Sequence, residues 1–350
     1  MLPVYVIFYV TSRCNLKCKH CFFHNSINKF DEMSLSDIEK LSKSMKNPLN
    51  ISLTGGEPFL RNDIDKIAKL FVENSGVPII SIPTNGMLTS RIVEKTEAML
   101  LENPKTIFNI FVSLDGSEKT HNSIRGSNTA FQNANRTIAQ LSEFKKKFTN
   151  FRLNVIFTIN EINSGELKKV YQQISKKYDV NQFQVNFMRG KPKSAKHSVK
   201  DIEIYDDINK LISTDVKNGV RQGHEILGNF YSCINERYKD LITKTILERK
   251  FQTPCYAGTT NCVIYSNAEV HACEIRNDLC FGNLKDYDYD LKKLLSTPKN
   301  RKKIKDIRES KCFCTFECQQ ASNVAFNPKQ LLVVILIWVK SKLGIRNEKK

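Results

Sequence analysis

Short apolar runs alternate with amphipathic stretches through the first part of the chain. The runs predict strands at residues 4–9, 51–54, 79–83, 107–114, 153–158 and 183–187. Between them apolar residues recur at helical spacing, as at Leu35, Ile38 and Leu41 after Ser34, a residue type that begins helices. Repeated strand–helix units predict an α/β fold with a parallel sheet covered by helices. Six repeats are fewer than the eight of a full TIM barrel, so they suit either an open partial barrel or a doubly wound sheet.

The chain contains 11 cysteines, and their positions are uneven. Three lie at residues 14–21 and seven at residues 255–318, while Cys233 stands apart. Such clustering indicates metal binding in a reducing compartment rather than a disulfide scaffold. We therefore expect a cytoplasmic, metal-binding protein.

The first cysteine group, Cys14, Cys18 and Cys21, directly follows the first predicted strand. With His24 it offers the four ligands of a structural zinc site. Three thiolates without a fourth protein ligand suit a four-iron cluster, because one iron then stays open for another ligand. The cysteines alone leave both interpretations open.

Polar or glycine-containing motifs end the other predicted strands, on the cysteine side of the sheet. They are TGGEP at 54–58, PTNG at 83–86, SLDG at 113–116, HNSIRG at 121–126 and NFMRG at 186–190. Glu57 suits a cationic amine, and Arg125 suits a carboxylate held by two hydrogen bonds. Ser113 and Asp115 suit sugar hydroxyls. A ligand with an amine, a carboxylate and a ribose satisfies all of these, and S-adenosylmethionine (SAM) is such a molecule.

On these residues the chain resembles the radical SAM enzymes. The spacing Cys14-x3-Cys18-x2-Cys21 matches the family's cluster motif, and GGEP at 55–58 matches the motif that holds the methionine amine. The resemblance implies a partial (β/α)6 TIM-type barrel, a [4Fe–4S] cluster on the three cysteines and SAM on the fourth iron. It also implies that SAM contacts His20, Gly55, Gly56, Glu57, Pro58, Thr84, Asn85, Ser113, Asp115, Arg125 and Met188.

The activity that the resemblance implies is reductive cleavage of SAM to a 5′-deoxyadenosyl radical, which removes a hydrogen atom from a substrate. An oxidation or bond-forming modification of a peptide or protein is the leading interpretation, with flavodoxin or ferredoxin as the implied electron donor. A small anionic metabolite or sugar is the alternative substrate, because four basic residues stand in RGKPKSAK at 189–196. An iron–sulfur electron carrier or scaffold without catalysis is the alternative from another class of protein.

The second cysteine group resembles the SPASM or Twitch extension of radical SAM enzymes, which binds auxiliary clusters. YSNAEVHAC at 265–273 looks like its hairpin, with Ala268 where a turn glycine is usual. Because no cysteine follows Cys318, one auxiliary [4Fe–4S] cluster is expected, and a zinc ion is the alternative. The expected ligands are Cys255, Cys273, Cys314 and Cys318, with Cys312 and Cys262 as rivals. Glu274 occupies a position where related maturases place a catalytic acidic residue, although an ordinary exposed glutamate is the alternative.

The formal charge of the chain is +18, with 54 Lys and Arg against 36 Asp and Glu. This charge favours anionic partners. The basic residues are dispersed and no nucleic-acid motif is recognisable, so no nucleic acid is expected as a partner. The expected organisation is a barrel at 1–197, a helical connector at 198–250, an auxiliary-cluster domain at 251–325 and an apolar, basic tail at 326–350.

Two apolar runs bear on membranes. The run LPVYVIFYV at 2–10 has no basic region before it and is interpreted as a buried strand rather than a secretory signal. The run LLVVILIWV at 331–339 is too short for a bilayer, which needs about 20 residues. This second run either docks on the barrel as a final helix or lies on a membrane surface with its basic end on anionic lipid. Peripheral membrane contact through 331–350 therefore stays open.

Overall fold

A computed structural model describes residues 2–29, 31–196, 199–217 and 229–343 of the 350-residue chain. Its strands are β1 (Tyr5–Thr11), β2 (Asn50–Gly55), β3 (Ile79–Thr84), β4 (Ile107–Ser113), β5 (Phe151–Ile159), β6 (Gln182–Phe187), β7 (Asn261–Ile264), β8 (Glu269–His271) and β9 (Cys280–Asn283). Within the described residues they form one nine-stranded sheet in the order β6-β5-β4-β3-β2-β1-β7-β8-β9. The first six are parallel and begin and end within two residues of the predicted strands.

The α-helices of the described residues cover this sheet and its open edge. They are α1 (Leu35–Ser44), α2 (Ile64–Ser75), α3 (Thr89–Glu102), α4 (Glu118–Arg125), α5 (Ala130–Ser142), α6 (Phe144–Lys147), α7 (Leu167–Lys177), α8 (Val199–Lys217), α9 (Asn229–Glu248), α10 (Leu291–Ser296), α11 (Pro298–Glu309), α12 (Glu317–Phe326) and α13 (Pro328–Lys342). Short 3-10 helices lie at Pro58–Leu60, Asn277–Leu279 and Leu284–Tyr287. The predicted start of α1 is confirmed. Ser34 accepts a hydrogen bond from the Asp37 amide, and the Asp37 carboxylate accepts one from the Ser34 amide.

The parallel strands are buried on both faces, which explains their nearly continuous apolar sequences. In β1, Val6, Phe8 and Val10 are fully buried and belong to the main core between the sheet and the helices. Ile7 and Tyr9 alternate with them and belong to a smaller cluster on the other face of the sheet. The alternation in β1 thus directs one set of side chains to the core and the other to the interior of the partial barrel.

The cysteine-rich segment after residue 250 shares its sheet with the barrel, which the expected separation at residue 251 does not anticipate. Strand β7 pairs in parallel with β1, with Val6 opposite Cys262, and β7, β8 and β9 then continue as an antiparallel meander. The predicted hairpin is present. Ala268 takes the glycine-like conformation of its turn, with φ of 72°. The two cysteine groups are therefore held by neighbouring strands of one sheet.

The predicted connector at 198–250 contains α8 and α9, with residues 218–228 lying outside the described part of the chain. Helix α8 contacts β6, and α9 contacts α12 and α13. The apolar run at 331–339 forms most of α13. Among the described residues no single helix has the length and apolar composition for crossing a membrane, while α12 and α13 pass that test only as a pair bent by 89°.

Candidate functional site

A cavity of about 1900 Å³ occupies the interior of the partial barrel. Alternate residues of the strands line it, because successive side chains of a strand point to opposite faces. The loop that carries the first cysteine group lines one part of the cavity, and residues of α8, α9, α12 and α13 line another. This cavity is the place where most of the predicted side chains meet.

The loop after β1 brings Cys14, Cys18 and Cys21 to the cavity wall. The Cys14 amide donates to Asn28 Oδ1 at 3.1 Å, and the His24 ring lies 2.8 Å from the carbonyl oxygen of Cys21. Burial raises the pKa of Cys14 to about 12 and that of Cys21 to about 11. A buried thiol becomes a thiolate most readily beside a strong positive charge. Three such thiols therefore fit an iron–sulfur cluster, and His24 is a loop residue tied to the backbone.

Two glycines let the end of β2 approach this cysteine loop closely. A Cβ on Gly56 would lie 2.2 Å from the carbonyl oxygen of Arg13, and a Cβ on Gly55 would lie 2.2 Å from that of Thr11. Backbone hydrogen bonds close the same contact, since Gly56 donates to Thr11 at 3.1 Å and Glu57 donates to Arg13 at 2.8 Å. The GGEP motif thus packs its backbone directly against the loop that carries the cysteines.

The Glu57 side chain lines the cavity and is also bonded to its own chain. Its carboxylate accepts hydrogen bonds from the Thr84 hydroxyl at 2.8 Å, the Asn85 amide at 2.7 Å and the Phe59 amide at 3.2 Å. Burial raises its pKa to about 7 against the lowering effect of these donors. Glu57 therefore ties the end of β2 to the end of β3, and it holds Thr84 and Asn85 at the cavity wall.

Arg125 lines the cavity and binds a carboxylate of its own chain. Its guanidinium contacts the buried Asp115 carboxylate at 2.6 and 2.7 Å and points a third nitrogen at the Cys18 sulfur, 3.8 Å away. Asp115 also accepts from the Thr158 amide at 2.8 Å and is fully buried, so it is not left for a sugar hydroxyl. The pair places a fixed positive charge beside Cys18.

The remaining predicted SAM contacts divide into two sets. Ser113 and His20 line the cavity together with the glycines, Thr84, Asn85 and Arg125. Pro58, Asp115 and Met188 are buried and are not among its lining residues. Burial lowers the pKa of His20 to about 4, so its ring is neutral near pH 7, and its buried Nδ1 has no hydrogen-bond partner within the described residues.

These features fit the [4Fe–4S] cluster and the SAM that the sequence implies. Three cysteine thiols, the two glycines of GGEP and the His20 ring with its unpartnered nitrogen all line this cavity. Among the described residues, no three or more His, Cys, Asp or Glu side chains are arranged as ligands of a single metal ion.

In the second cysteine group, four thiols are close enough to affect one another's pKa values. Burial raises the pKa of Cys314 most, and the thiols of Cys255, Cys273 and Cys312 raise it further. The thiols of Cys273 and Cys312 likewise raise the pKa of Cys255. Cys312 thus joins Cys255, Cys273 and Cys314 as a candidate ligand, beside the Cys318 that the sequence favoured.

Two other cysteines differ in their surroundings. Cys318 packs against the same small cluster as Cys273 and Cys314, whereas Cys262 belongs to the main core. Cys318 lines the cavity on α12, where the Tyr5 hydroxyl donates to its sulfur at 3.8 Å and Arg189 opposes the rise in its pKa caused by burial. Cys262 is fully buried in the main core opposite Val6, and burial alone accounts for its raised pKa. The structure therefore contradicts Cys262 as a rival ligand, because its side chain faces the core and not the other thiols.

Arg189 lies between the two cysteine groups, and the sequence did not reveal its role. Its guanidinium lies over the Phe316 ring at 4.2 Å and pairs with Glu274 at 3.5 Å and Glu317 at 3.6 Å. Glu274, the candidate base, is buried and also accepts a hydrogen bond from the Tyr9 hydroxyl at 2.6 Å. All five side chains except Phe316 line the cavity.

The stretch RGKPKSAK at 189–196 was expected to present its basic residues to an anionic substrate. Its first residue, Arg189, turns inward to the two glutamates, whereas Lys191 and Lys193 are exposed. The amides of Ser194 and Ala195 both donate to the carbonyl oxygen of Lys19. This loop therefore braces the cysteine loop. Glu274 and Glu317 each stand beside a cysteine in the sequence. These two acidic residues were the signal in the sequence for a buried cation, Arg189, between the two cysteine groups.

Comparisons with known proteins agree with this geometry. Residues 8–174 match the model of the Radical SAM superfamily. The subtilosin biosynthesis protein AlbA of Bacillus subtilis (strain 168) is 26% identical over 293 residues, which cover 81% of this chain and 58% of AlbA. The cysteine-type anaerobic sulfatase-maturating enzyme of Clostridium novyi (strain NT) is 27% identical over 290 residues, which cover 75% of this chain and 71% of the enzyme.

The fold has a counterpart among solved structures. The structure of anSMEcpe with bound AdoMet has a TM-score of 0.65 and 21% sequence identity, and the match covers 96% of this chain and 100% of the other. A structure of the same protein holds AdoMet and a Kp18Cys peptide. The shared architecture is the partial barrel with its C-terminal, cysteine-bearing extension. With the cysteine motif at the end of β1 and the superfamily match over 8–174, the barrel of this chain is a radical SAM domain.

Proposed function

We propose that this chain is a radical SAM oxidoreductase or maturase that modifies a peptide or protein by oxidation or bond formation. The observation that carries the proposal is the joint presence of three cysteine thiols and the two glycines of GGEP on the wall of one large cavity. When bound, the cluster and SAM supply reductive cleavage of SAM and hydrogen abstraction from the substrate.

In this proposal the residues of the chain bind and orient the cluster and SAM. Cys14, Cys18 and Cys21 hold the cluster, and the GGEP backbone offers its polar groups to SAM. Arg125, fixed by Asp115, keeps a positive charge beside the Cys18 thiolate. The neutral His20 ring offers its unpartnered Nδ1 to a hydrogen-bond donor.

A peptide or protein substrate is supported by the size of the cavity. Pockets for small ligands measure roughly 300–1,000 Å³, and this cavity measures about 1900 Å³. Space therefore remains for a peptide segment beside SAM. AlbA, a subtilosin biosynthesis protein, and the sulfatase-maturating enzyme act in peptide or protein maturation by their names. Glu274 is the candidate catalytic base.

The alternative, a small anionic metabolite or sugar, loses support because Arg189 is already paired with two glutamates. Changing Lys191 and Lys193 to Ala tests what remains of it. A peptide substrate predicts an unchanged KM, whereas a raised KM for an anionic metabolite would favour the alternative.

For the auxiliary [4Fe–4S] cluster we propose the ligands Cys255, Cys273, Cys312 and Cys314. Their mutual electrostatic effects support this set. In the reconstituted protein, Cys312→Ala should lose about four irons per chain. Cys318→Ala should lose none, and Cys262→Ala serves as the buried control. Loss of iron from Cys318→Ala with retention in Cys312→Ala would return Cys318 to the ligand set.

An acidic one-electron carrier such as flavodoxin or ferredoxin is proposed as the reductant. The formal charge of +18 supports it, because opposite charges speed the encounter of two proteins. Reduction by such a carrier should slow steeply as the salt concentration rises. A rate independent of salt would contradict an electrostatic encounter.

The decisive experiment is anaerobic reconstitution followed by measurement of 5′-deoxyadenosine with SAM, dithionite and candidate peptides. Product is expected from the parent chain and from Cys262→Ala, and none from the variant with Cys14, Cys18 and Cys21 all changed to Ala. Equal amounts from the parent and the triple variant would refute the cluster site. An electron carrier or scaffold would bind clusters in both groups without cleaving SAM.

A further inference from the structure

The outer face of α13 carries a stripe of exposed apolar side chains. Two leucines dominate it, with Leu332 63% and Leu336 61% exposed. The full stripe, called the α13 stripe below, is Leu332, Ile335, Leu336, Val339 and Leu343. These positions are spaced three, four, seven and eleven residues from the first, so they share one side of the helix. A contiguous exposed apolar surface of this kind marks an interaction site.

The orientation of α13 is fixed by its other face. Val334 is fully buried, and Trp338 packs against Phe230 of α9 with ring centroids 6.2 Å apart. At the start of the helix, the Arg237 side chain donates to Gln330 at 2.8 Å. The sequence left two possibilities for this run, docking on the barrel and contact with a membrane surface, and the two are compatible. The inner face docks on the barrel, and the stripe faces outward.

The charged residues of α13 itself are all lysines. Lys329, Lys340 and Lys342 are exposed at the two ends of the helix. No acidic residue stands in the helix sequence PKQLLVVILIWVKSK. An apolar stripe between exposed lysines complements a surface that is apolar inside and negatively charged outside. An anionic lipid membrane is such a surface.

A second copy of the chain fits the stripe less well. A two-fold contact through this face brings lysines of both copies together, like ends in a parallel pair and opposite ends in an antiparallel pair, because both ends of α13 carry lysines. Like charges facing each other oppose such a contact. A 15-residue helix is also too short to span a bilayer, which needs about 20 residues. Lying in the membrane interface satisfies both the stripe and the lysines.

We propose that α13 lies in the interface of an anionic membrane, with its stripe among the upper acyl chains and its lysines at the headgroups. Ile337, Lys340 and Ser341 of the same helix line the central cavity. Docking therefore brings the wall of the cavity to the membrane surface. The proposal does not depend on the proposed function, because it rests on the surface of α13 alone.

Co-sedimentation of the full chain with vesicles tests the proposal. Phosphatidylcholine vesicles with and without phosphatidylglycerol serve as probes. The double variant Leu332→Ser with Leu336→Ser should weaken binding to the anionic vesicles by at least about tenfold, because two exposed leucines no longer enter the lipid. The control is Leu101→Ser with Leu247→Ser, whose leucines are 66% and 58% exposed on other helices. It should bind as the parent does.

The charge is tested separately. Lys340→Gln with Lys342→Gln should reduce binding to anionic vesicles severalfold and leave the weak binding to neutral vesicles unchanged. Lys46→Gln with Lys66→Gln, which changes exposed lysines at two other places, is the matched control. Equal loss in both pairs would assign the effect to net charge and overturn the role of α13.

Two further outcomes overturn the proposal. One is equal binding of the parent and the α13 leucine variant, with circular dichroism showing that both are folded. The other is a dimeric mass of the parent in solution, a monomeric mass of the leucine variant and no vesicle binding by either. That result would assign the stripe to a second copy of the chain.

Discussion

Arg189 connects residues that are sequence neighbours of cysteines in both groups. Its guanidinium lies over Phe22, next to Cys21, and pairs with Glu274, next to Cys273. A buried cation stabilises added negative charge nearby, since the surroundings screen it less than water does. Arg189 is therefore suited to position both cysteine groups and to favour reduction of a cluster beside it.

The first prediction concerns the charge of this residue. Arg189→Met should lower the reduction potential of the reconstituted auxiliary cluster by about 70 mV, the value for a unit charge at roughly 10 Å and an effective dielectric of about 20. Arg189→Lys should retain most of the parent potential. Redox titration followed by electron paramagnetic resonance measures the shift. The control is Arg152→Met, which removes another cavity-lining arginine, and a like shift there would contradict a specific role for Arg189.

A second residue-scale prediction concerns His121. Its Nδ1 accepts the Asp115 amide at 2.9 Å, and the ring packs against Phe131. Burial lowers its pKa to about 3, with Arg125 and His20 acting in the same direction and Asp115 opposing them. The folded chain thus keeps the ring neutral, while the unfolded chain protonates it below about pH 6.5.

The free energy of unfolding should therefore fall as the pH drops below 6.5, by at most about 1.4 kcal/mol per pH unit from this group. His121→Asn keeps a hydrogen-bond acceptor and removes the titrating ring. Urea unfolding of the cluster-free protein at pH 6.5 and 5.5 should show a smaller loss in the variant than in the parent. An equal loss in both would show that other groups carry the pH dependence.

At the scale of elements, a buried polar network joins β7 to α12. The Asn261 side chain donates to Gln319 at 2.5 Å, and Gln319 donates to Asn323 at 2.8 Å. Asn323 in turn accepts the Tyr256 amide at 2.9 Å, one residue after Cys255. The network fixes the helix that follows the CFCTFEC segment against the strand that follows Cys255.

Removing the centre of this network should destabilise the protein. Gln319→Ala leaves the buried Asn261 amide without its partner, so the free energy of unfolding should fall by about 1–3 kcal/mol. Gln172→Ala, on the exposed face of α7, is the control and should change it by less than about 0.5 kcal/mol. Urea titration of the cluster-free protein measures both. Similar values for the two variants would argue against the network.

The same scale separates what a sequence can and cannot predict. Strands β1 to β6 were predictable because each is an apolar run of strand length between helical patterns. The pairing of β7 with β1 was not predictable, because the sequence NCVI of β7 does not indicate which strand it pairs with. Likewise the sequence indicated that Arg125 and Glu57 lie near the cysteine loop, and both line the cavity, but their partners Asp115 and Asn85 are determined by tertiary packing. Local pattern predicts elements, and contacts between distant segments decide the roles of polar side chains.

At the scale of the whole molecule, one core runs from the barrel to the C-terminal helix. The main core includes Val6 of β1, Phe108 of β4 and Val334 of α13, and Trp338 packs against it. Because β7 extends the barrel sheet, the cysteine-rich segment has no separate sheet of its own within the described residues. A shared core and a shared sheet predict that the barrel and the C-terminal segment unfold together.

Trp338 is the only tryptophan of the chain, so its fluorescence reports the C-terminal segment, whereas circular dichroism reports the helices throughout. In urea the two signals should change at the same midpoint. Phe108→Ala, in the barrel, should lower the free energy of unfolding by about 3–5 kcal/mol and move both midpoints together. Phe326→Ala, at an exposed side chain at the end of α12, should move neither. If Phe108→Ala moved the circular dichroism midpoint and left that of Trp338 in place, the C-terminal segment would be an independent unit. The pairing of β7 with β1 would then contribute little to the stability of the whole.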